Sequence, residues 1–136
     1  MPERLLVCGS RRWTDRVAIE KAIGSGLEVV IEGEAPGADR LAREIAERRG
    51  IAVLPFLAHW RVHGKRAGVL RNRDMLREGR PTRVMAFTDD FGNPHSGTRH
   101  MCKIAVEAGI PTWLIRHAEG GPGVLLTRRL TAEDFA

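Results

Sequence analysis

The amino-acid sequence predicts an α/β protein of three layers, with a mainly parallel, five-stranded sheet covered by helices on both faces. Three observations carry this prediction. Short β-rich runs alternate with helical patterns along almost the whole chain, as successive βαβ units do. The strand candidates are continuously apolar, as strands covered on both faces are. The helical candidates repeat their apolar residues at helical spacing and end near glycine, twice with proline following.

In chain order the strands read Leu5 to Cys8, Val29 to Ile31, Ala52 to Leu54, Val84 to Phe87 and Thr112 to Ile115. The helical stripes are Ala18/Ile19/Ala22/Ile23, Leu41/Ala42/Ile45/Ala46 and Met101/Ile104/Ala105/Ala108, each read as ordinary core. Arg66 to Glu78 is a less apolar helix, with Leu70 and Met75 or Leu76 to bury and several arginines left over. Left-handed caps are expected near Gly24 and Gly26, at Gly50, at Gly79 before Pro81 and at Gly109 before Pro111. Glu119-Gly-Gly-Pro-Gly123 reads as a turn-rich break, and the tail to Ala136 receives no element.

At 136 residues, 43% apolar and 29% charged, the chain is expected to form one core, which argues against disordered and fibrous classes. No apolar run approaches the roughly 18 to 20 residues of a membrane span, and no signal-peptide pattern opens the sequence, so a cytoplasmic protein without membrane partners is expected. Cys8 and Cys102 each lie in an apolar stretch and read as buried thiols. The formal charge of +5 is uneven. Arg61, Lys65, Arg66, Arg71, Arg73, Arg77, Arg80 and Arg83 stand against Asp74 and Glu78 alone, so the positive field is one local feature, suited to an anionic ligand or to nucleic acid.

Three strand-to-helix turns could hold that anion. Gly9-Ser10-Arg11 follows the first strand, although without the full spacing of a dinucleotide fingerprint. The second strand ends in a stretch containing Gly33, Gly37, Ala38 and Asp39, with Pro36 at an expected first helical position; Asp39 either offsets the helix dipole or accepts from a ribose hydroxyl. The fourth strand leads to Ser96-Gly97-Thr98, where Ser96 or Thr98 would also serve as a helix cap. With a strand order of 3-2-1-4-5, the Gly9 and Gly97 turns face each other across the switch point between strands 1 and 4. Arg71 and Asn72, on the basic helix, either belong to a solvated face or reach into the crevice to fix a phosphate and a base or sugar. Trp13 follows the first turn closely enough to stack on a base, although a structural role is the first expectation for it as for Trp60 and Trp113.

His59 and His63 are four apart, but no further ligand pattern accompanies them and no metal is expected. No Ser-His-Asp order and no nucleophile-elbow motif is present, which removes the commonest acyl-transfer classes.

Taken together, Gly9-Ser10-Arg11 with Trp13 and Asp15, Gly33 to Asp39, Trp60 with Gly64-Lys65 and Ala67-Gly68 before Arg71-Asn72 and Met75, and Ser96-Gly97-Thr98 resemble the SLOG superfamily, more narrowly its YspA-like branch. The resemblance covers about residues 4 to 116. It implies a Rossmann-like nucleotide-binding domain over residues 1–118, with 119–136 as a turn and tail packing on the same domain. It further implies a nucleotide-like small molecule as partner, no separate cofactor, and a homodimer or higher homo-oligomer.

The Lonely Guy relatives are phosphoribohydrolases that release a free base from a nucleoside monophosphate, and they carry a PGGxGTxxE signature. Here the stretch reads Asn93-Pro-His-Ser-Gly-Thr-Arg-His-Met101, so Met101 occupies the glutamate position. Arg71 matches the family arginine and is the candidate catalytic residue, but an arginine alone does not activate water. Three functions follow: a nucleotide-binding sensor or module, a phosphoribohydrolase drawing its carboxylate from Glu32, Glu34, Asp39, Asp89 or Asp90, and a nucleic-acid binder through Arg61–Arg83.

Overall fold

Strand β1 (Glu3–Gly9) is the hub of the sheet, pairing in parallel with β2 (Leu27–Glu32) on one side and β4 (Arg83–Phe87) on the other. The computed structural model describes residues 2–119 and 123–136. Beyond β2 lies β3 (Ala52–Pro55), and beyond β4 lies β5 (Thr112–His117), both also parallel. The predicted order 3-2-1-4-5 is extended by one member: β6 (Leu125–Arg129) pairs antiparallel with β5, so the sheet has six strands in the order 3-2-1-4-5-6.

Alternation along β1 explains the layers. Leu5 and Val7 face one side, where they pack with Ile19 of α1 (Arg16–Ala22) and Ala42 and Ile45 of α2 (Ala38–Arg48). Leu6 and Cys8 face the other, where Met75 of α4 (Ala67–Arg77) and Met101, Cys102 and Ala105 of α5 (Gly97–Glu107) cover them. A four-residue helix, α3 (Trp60–His63), and a 3₁₀ turn (Gly64–Arg66) precede α4, where the sequence shows no apolar stripe to reveal them.

The expected sheet of five strands is corrected to six because β6 carries almost no burial signal. Four of its five residues are exposed, and the short apolar run at its start, Val124-Leu125-Leu126, gives way at once to Thr127-Arg128-Arg129; backbone pairing holds it, and Leu130 just beyond it joins the core. A 3₁₀ turn (Ala132–Phe135) closes the chain with a reciprocal cap between Thr131 and Asp134. The Glu119–Gly123 break lies partly outside the described residues, at 120–122.

Helix ends follow the glycines with three corrections. Gly26, Gly50 and Gly109 adopt positive φ, whereas Gly24 does not, and after α4 the left-handed residue is Arg80 (φ 49°) rather than Gly79. Gly79 is there for space: a Cβ would stand 2.3 Å from the Met75 carbonyl oxygen, and its own carbonyl accepts from Arg4 Nε and Nη2. Pro36 does not open α2, whose cap is Gly37. A left-handed Gly37 (φ 83°) brings that helix against the first turn so closely that a Cβ would lie 2.2 Å from the Ser10 carbonyl oxygen.

Candidate functional site

Five parallel strands send their carboxyl ends to one edge, and the switch point between β1 and β4 opens there as a crevice of about 1040 Å³. Its floor is the first turn. A Cβ at Gly9 would stand 2.3 Å from the Phe87 carbonyl oxygen and 2.7 Å from Ala38 Cβ, so glycine lets β1, β4 and α2 meet. Ser10 N–H donates to Phe87 O (2.9 Å), and Ser10 O accepts from Trp13 N–H and Ala38 N–H (each 3.2 Å). The side chains of Arg11 and Arg12 leave this turn exposed at the crevice.

One wall is the start of α5. Ser96 caps it by accepting from Arg99 N–H (3.3 Å), as the sequence allowed. The N–H groups of Gly97 and Thr98 make no hydrogen bond among the described residues. No heavy atom beyond Gly97's chain neighbours and the backbone of its own helix lies within 4 Å of where its Cβ would be, so this first turn presents bare main chain to the crevice. Two unspent amides at the positive end of an eleven-residue helix are anion donors.

The opposite wall is α4, and there Asn72 acts as a clasp. It is buried; its Oδ1 accepts from Arg71 Nε (3.0 Å), while Nδ2 donates to Gly97 O (3.0 Å) and to His100 Nδ1 (3.1 Å). That geometry leaves the His100 proton on Nε2, and burial together with Arg73 and Lys103 depresses the His100 pKa, which keeps the ring neutral. Arg71 Nη1 donates to Gly33 O (2.8 Å), so the guanidinium is fixed at two points, while Nη2 makes no hydrogen bond among the described residues. The crevice therefore holds a preoriented cation with donor capacity to spare.

Behind Arg71 lie two buried carboxyls. Asp39 Oδ2 accepts from Gly33 N–H (3.1 Å) and Ala35 N–H (3.3 Å), which shapes the β2–α2 loop around the left-handed Glu34 (φ 59°). Burial pushes Asp39 up to about 6, against the lowering pull of Arg71 and those two amides. Glu32 is fully buried, one oxygen accepting from Glu34 N–H (3.0 Å) and the other without a partner among the described residues. Burial first, and Asp39 second, raise it to about 7.

At the far rim His117 binds two carboxylates, Asp15 (2.9 Å) and Asp89 (2.8 Å), and stacks on Trp13 at 4.5 Å between ring centres. The hydrogen bonds it donates to Asp89 and Asp15 raise its pKa, favouring the imidazolium, and tie β5 to the cap of α1.

Of the residues singled out from sequence, Gly9, Ser10, Arg11, Asp39, Arg71, Asn72, Ser96, Gly97 and Thr98 line the crevice. Gly33, Gly37 and Ala38 stand behind its walls. Gly33 makes room for Arg71 and Asp39, since a Cβ there would lie 2.6 Å from Arg71 Nη1 and 3.0 Å from Asp39 Oδ2. Asp39, offered as a dipole or ribose partner, spends Oδ2 on the loop. Met101 is buried in the core beneath the sheet, so no acid or base stands at that position of α5. Trp13 is buried; Trp60 and Lys65 join the lining. Sequence reasoning does not single out His100 or His117, which no local pattern links to Asn72 or Asp15.

Cys8 and Cys102 are free buried thiols, as expected, and the neighbouring Cys102 thiol together with burial raises the Cys8 pKa, which keeps that thiol protonated. No cluster of three or more possible metal ligands occurs among the described residues. None of the described helices is long and apolar enough to cross a membrane.

Comparison with known proteins agrees with this architecture. The family model described as "YspA, cpYpsA-related SLOG family" matches residues 3–63, which include the first turn, the Gly33–Asp39 loop and Trp60. The Gene 61 protein of Mycobacterium phage D29 is 41% identical over 119 residues, covering 79% of this chain and 92% of the phage protein. Among solved structures, DNA processing protein A (DprA) from Streptococcus pneumoniae superposes with a TM-score of 0.68 at 21% identity, over 88% of this chain and 52% of DprA. The present chain thus spans about half of DprA, and the likeness is one of fold.

Proposed function

We propose that this chain, which belongs to the YspA, cpYpsA-related SLOG family, binds a nucleotide or nucleotide-derived ligand at the carboxyl edge of its sheet. One observation carries this reading above the others: the unspent amides of Gly97 and Thr98 and the unspent Nη2 of Arg71 border one crevice, with Arg11 and Lys65 adding positive charge. A phosphate placed there completes the hydrogen bonding of the α5 terminus and meets a fixed guanidinium. The volume of about 1040 Å³ is ample for a mononucleotide and reaches the size class of larger nucleotide derivatives.

The chemistry is that of a binding module. Hydrolysis of a glycosidic bond needs a carboxylate poised to activate water, and the first turns of α5 offer Met101 in its place. Of the other carboxyls considered, Glu32 is sealed behind the wall, Glu34 pairs with Arg43, Asp39 is engaged by the loop amides and Asp89 by His117; Asp90 alone lines the crevice with a carboxylate unpaired among the described residues, and it is the acid a hydrolase would have to use.

Calorimetry with AMP, ADP-ribose, NAD and cyclic nucleotides tests the proposal. Saturable binding by at least one, weakened at least tenfold by Arg71→Ala, is the expected result. Absence of binding across the panel, or binding indifferent to Arg71→Ala, contradicts it. Chromatography of the same mixtures should return the nucleotide intact; free base whose release depends on Arg71 would establish the hydrolase instead.

A further inference from the structure

Two tryptophans border the crevice, and only one has a ring face to give. Trp13 is 4% exposed, with His117 stacked on it, the edge of Phe87 at 5.6 Å between centroids, and its indole N–H donated to Asp15 O at 2.9 Å. Trp60 is 49% exposed at the mouth of the crevice, on the single turn of α3. Its indole N–H makes no hydrogen bond, and its ring pairs with no other aromatic or cationic group, among the described residues.

Gly68 lies beside both that ring and Arg71. A Cβ there would lie 3.4 Å from Trp60 Cη2, and 4.0 Å from Arg71 Nη2, so the indole edge and the spare guanidinium nitrogen converge on the same glycine. Leaving half of an indole in water forgoes a large part of the burial that an aromatic side chain normally gains. An indole presented in a crevice next to an anion site is suited to stacking a planar group.

We infer that Trp60 is the stacking platform for an aromatic base, and hence that the crevice takes a ligand carrying both a base and a phosphate rather than a sugar phosphate alone. The inference rests on the phosphate site proposed above. A bicyclic purine overlaps the indole more fully than a pyrimidine does, so AMP binds more tightly than UMP.

Binding of AMP, UMP and ribose 5-phosphate to the wild type, Trp60→Ala and Trp60→Phe separates the platform from the phosphate site. Trp60→Ala weakens AMP on the order of 10- to 100-fold, the usual loss for one stacked base. Ribose 5-phosphate changes less than about twofold, because stacking is what is removed. Trp60→Phe keeps most of the AMP affinity, and AMP quenches tryptophan emission in the wild type but not in this variant. Equal weakening of AMP and ribose 5-phosphate, or no weakening of either, overturns the platform while leaving the phosphate site standing. A shift in oligomeric state on Trp60→Ala with AMP binding unchanged also overturns it, assigning the ring to a contact between copies. Failure of the wild type to bind any of the three ligands removes the phosphate site and the platform together.

Discussion

Replacing Glu32 by Gln should change the stability of the protein in a pH-dependent way whose size follows from the burial of that side chain. Glu32 is fully inaccessible, and one of its oxygens has no hydrogen-bond partner among the described residues. Burial and the neighbouring Asp39 raise it from an ordinary 4.5 to about 7. The folded chain thus keeps a proton that the unfolded chain loses between those two values. Folding takes up that proton, so this group's contribution to stability falls as pH rises from 4.5 towards 7 and then levels off. The interval corresponds to about 3 kcal/mol. Gln carries no charge, and the cost of burying its amide is the same at every pH. The stability difference between Glu32→Gln and wild type should therefore move by about 3 kcal/mol in favour of the variant between pH 4.5 and pH 8. Denaturant unfolding of both proteins at the two pH values measures it. A difference constant to within about 0.5 kcal/mol would refute the buried, unpaired carboxyl.

Gly97→Asp should fold at least as well as wild type, because the site has open space and an acidic residue suits a helix N-terminus, yet it should lose phosphate-bearing ligands; thermal melting and calorimetry check the two halves separately. Asn72→Ala should cost about 1–3 kcal/mol in denaturant unfolding, since it deprives Arg71 Nε, Gly97 O and His100 Nδ1 of partners in a buried network. His117→Gln should remove a stabilisation that is fully present below pH 6.5 and fades as pH rises through the elevated imidazolium pKa; thermal melts from pH 6 to 9 show the wild type declining towards the variant. A single-stranded oligonucleotide should bind the exposed cations of α3 and α4 at low salt only, with affinity lost near physiological ionic strength by fluorescence anisotropy while mononucleotide binding persists.

The parallel core of the fold was legible because buried strands are continuous apolar runs and their helices repeat at a helical period. β1 to β5 and the longer helices all announce themselves in this way. β6 does not, because its side chains are mostly exposed and only main-chain pairing to β5 defines it. The turns of the site were legible through glycine, but not what each glycine does. Gly9 lets three elements meet, Gly33 makes room for two side chains, and Gly97 bares the start of α5. Contacts between elements distant in sequence, such as Asn72 with His100 or His117 with Asp15, join residues 28 and 102 apart and leave no local trace. Trp13 takes the structural role first expected of it, whereas Trp60, for which the same was expected, stands half exposed at the crevice. Proximity to the first turn also made Trp13 a candidate for stacking on a base, but burial by His117 and Phe87 closes it.

Amide chemical-shift mapping during titration with a nucleoside monophosphate, AMP first, is the most direct test of the crevice. Saturating shifts centred on the Gly97 and Thr98 amides, with the Gly9–Arg11 turn and the Arg71 side chain moving in step, are the expected result. Shifts confined to the exposed arginines of α3 and α4 and abolished by moderate salt, with the Gly97 and Thr98 amides still, would contradict it.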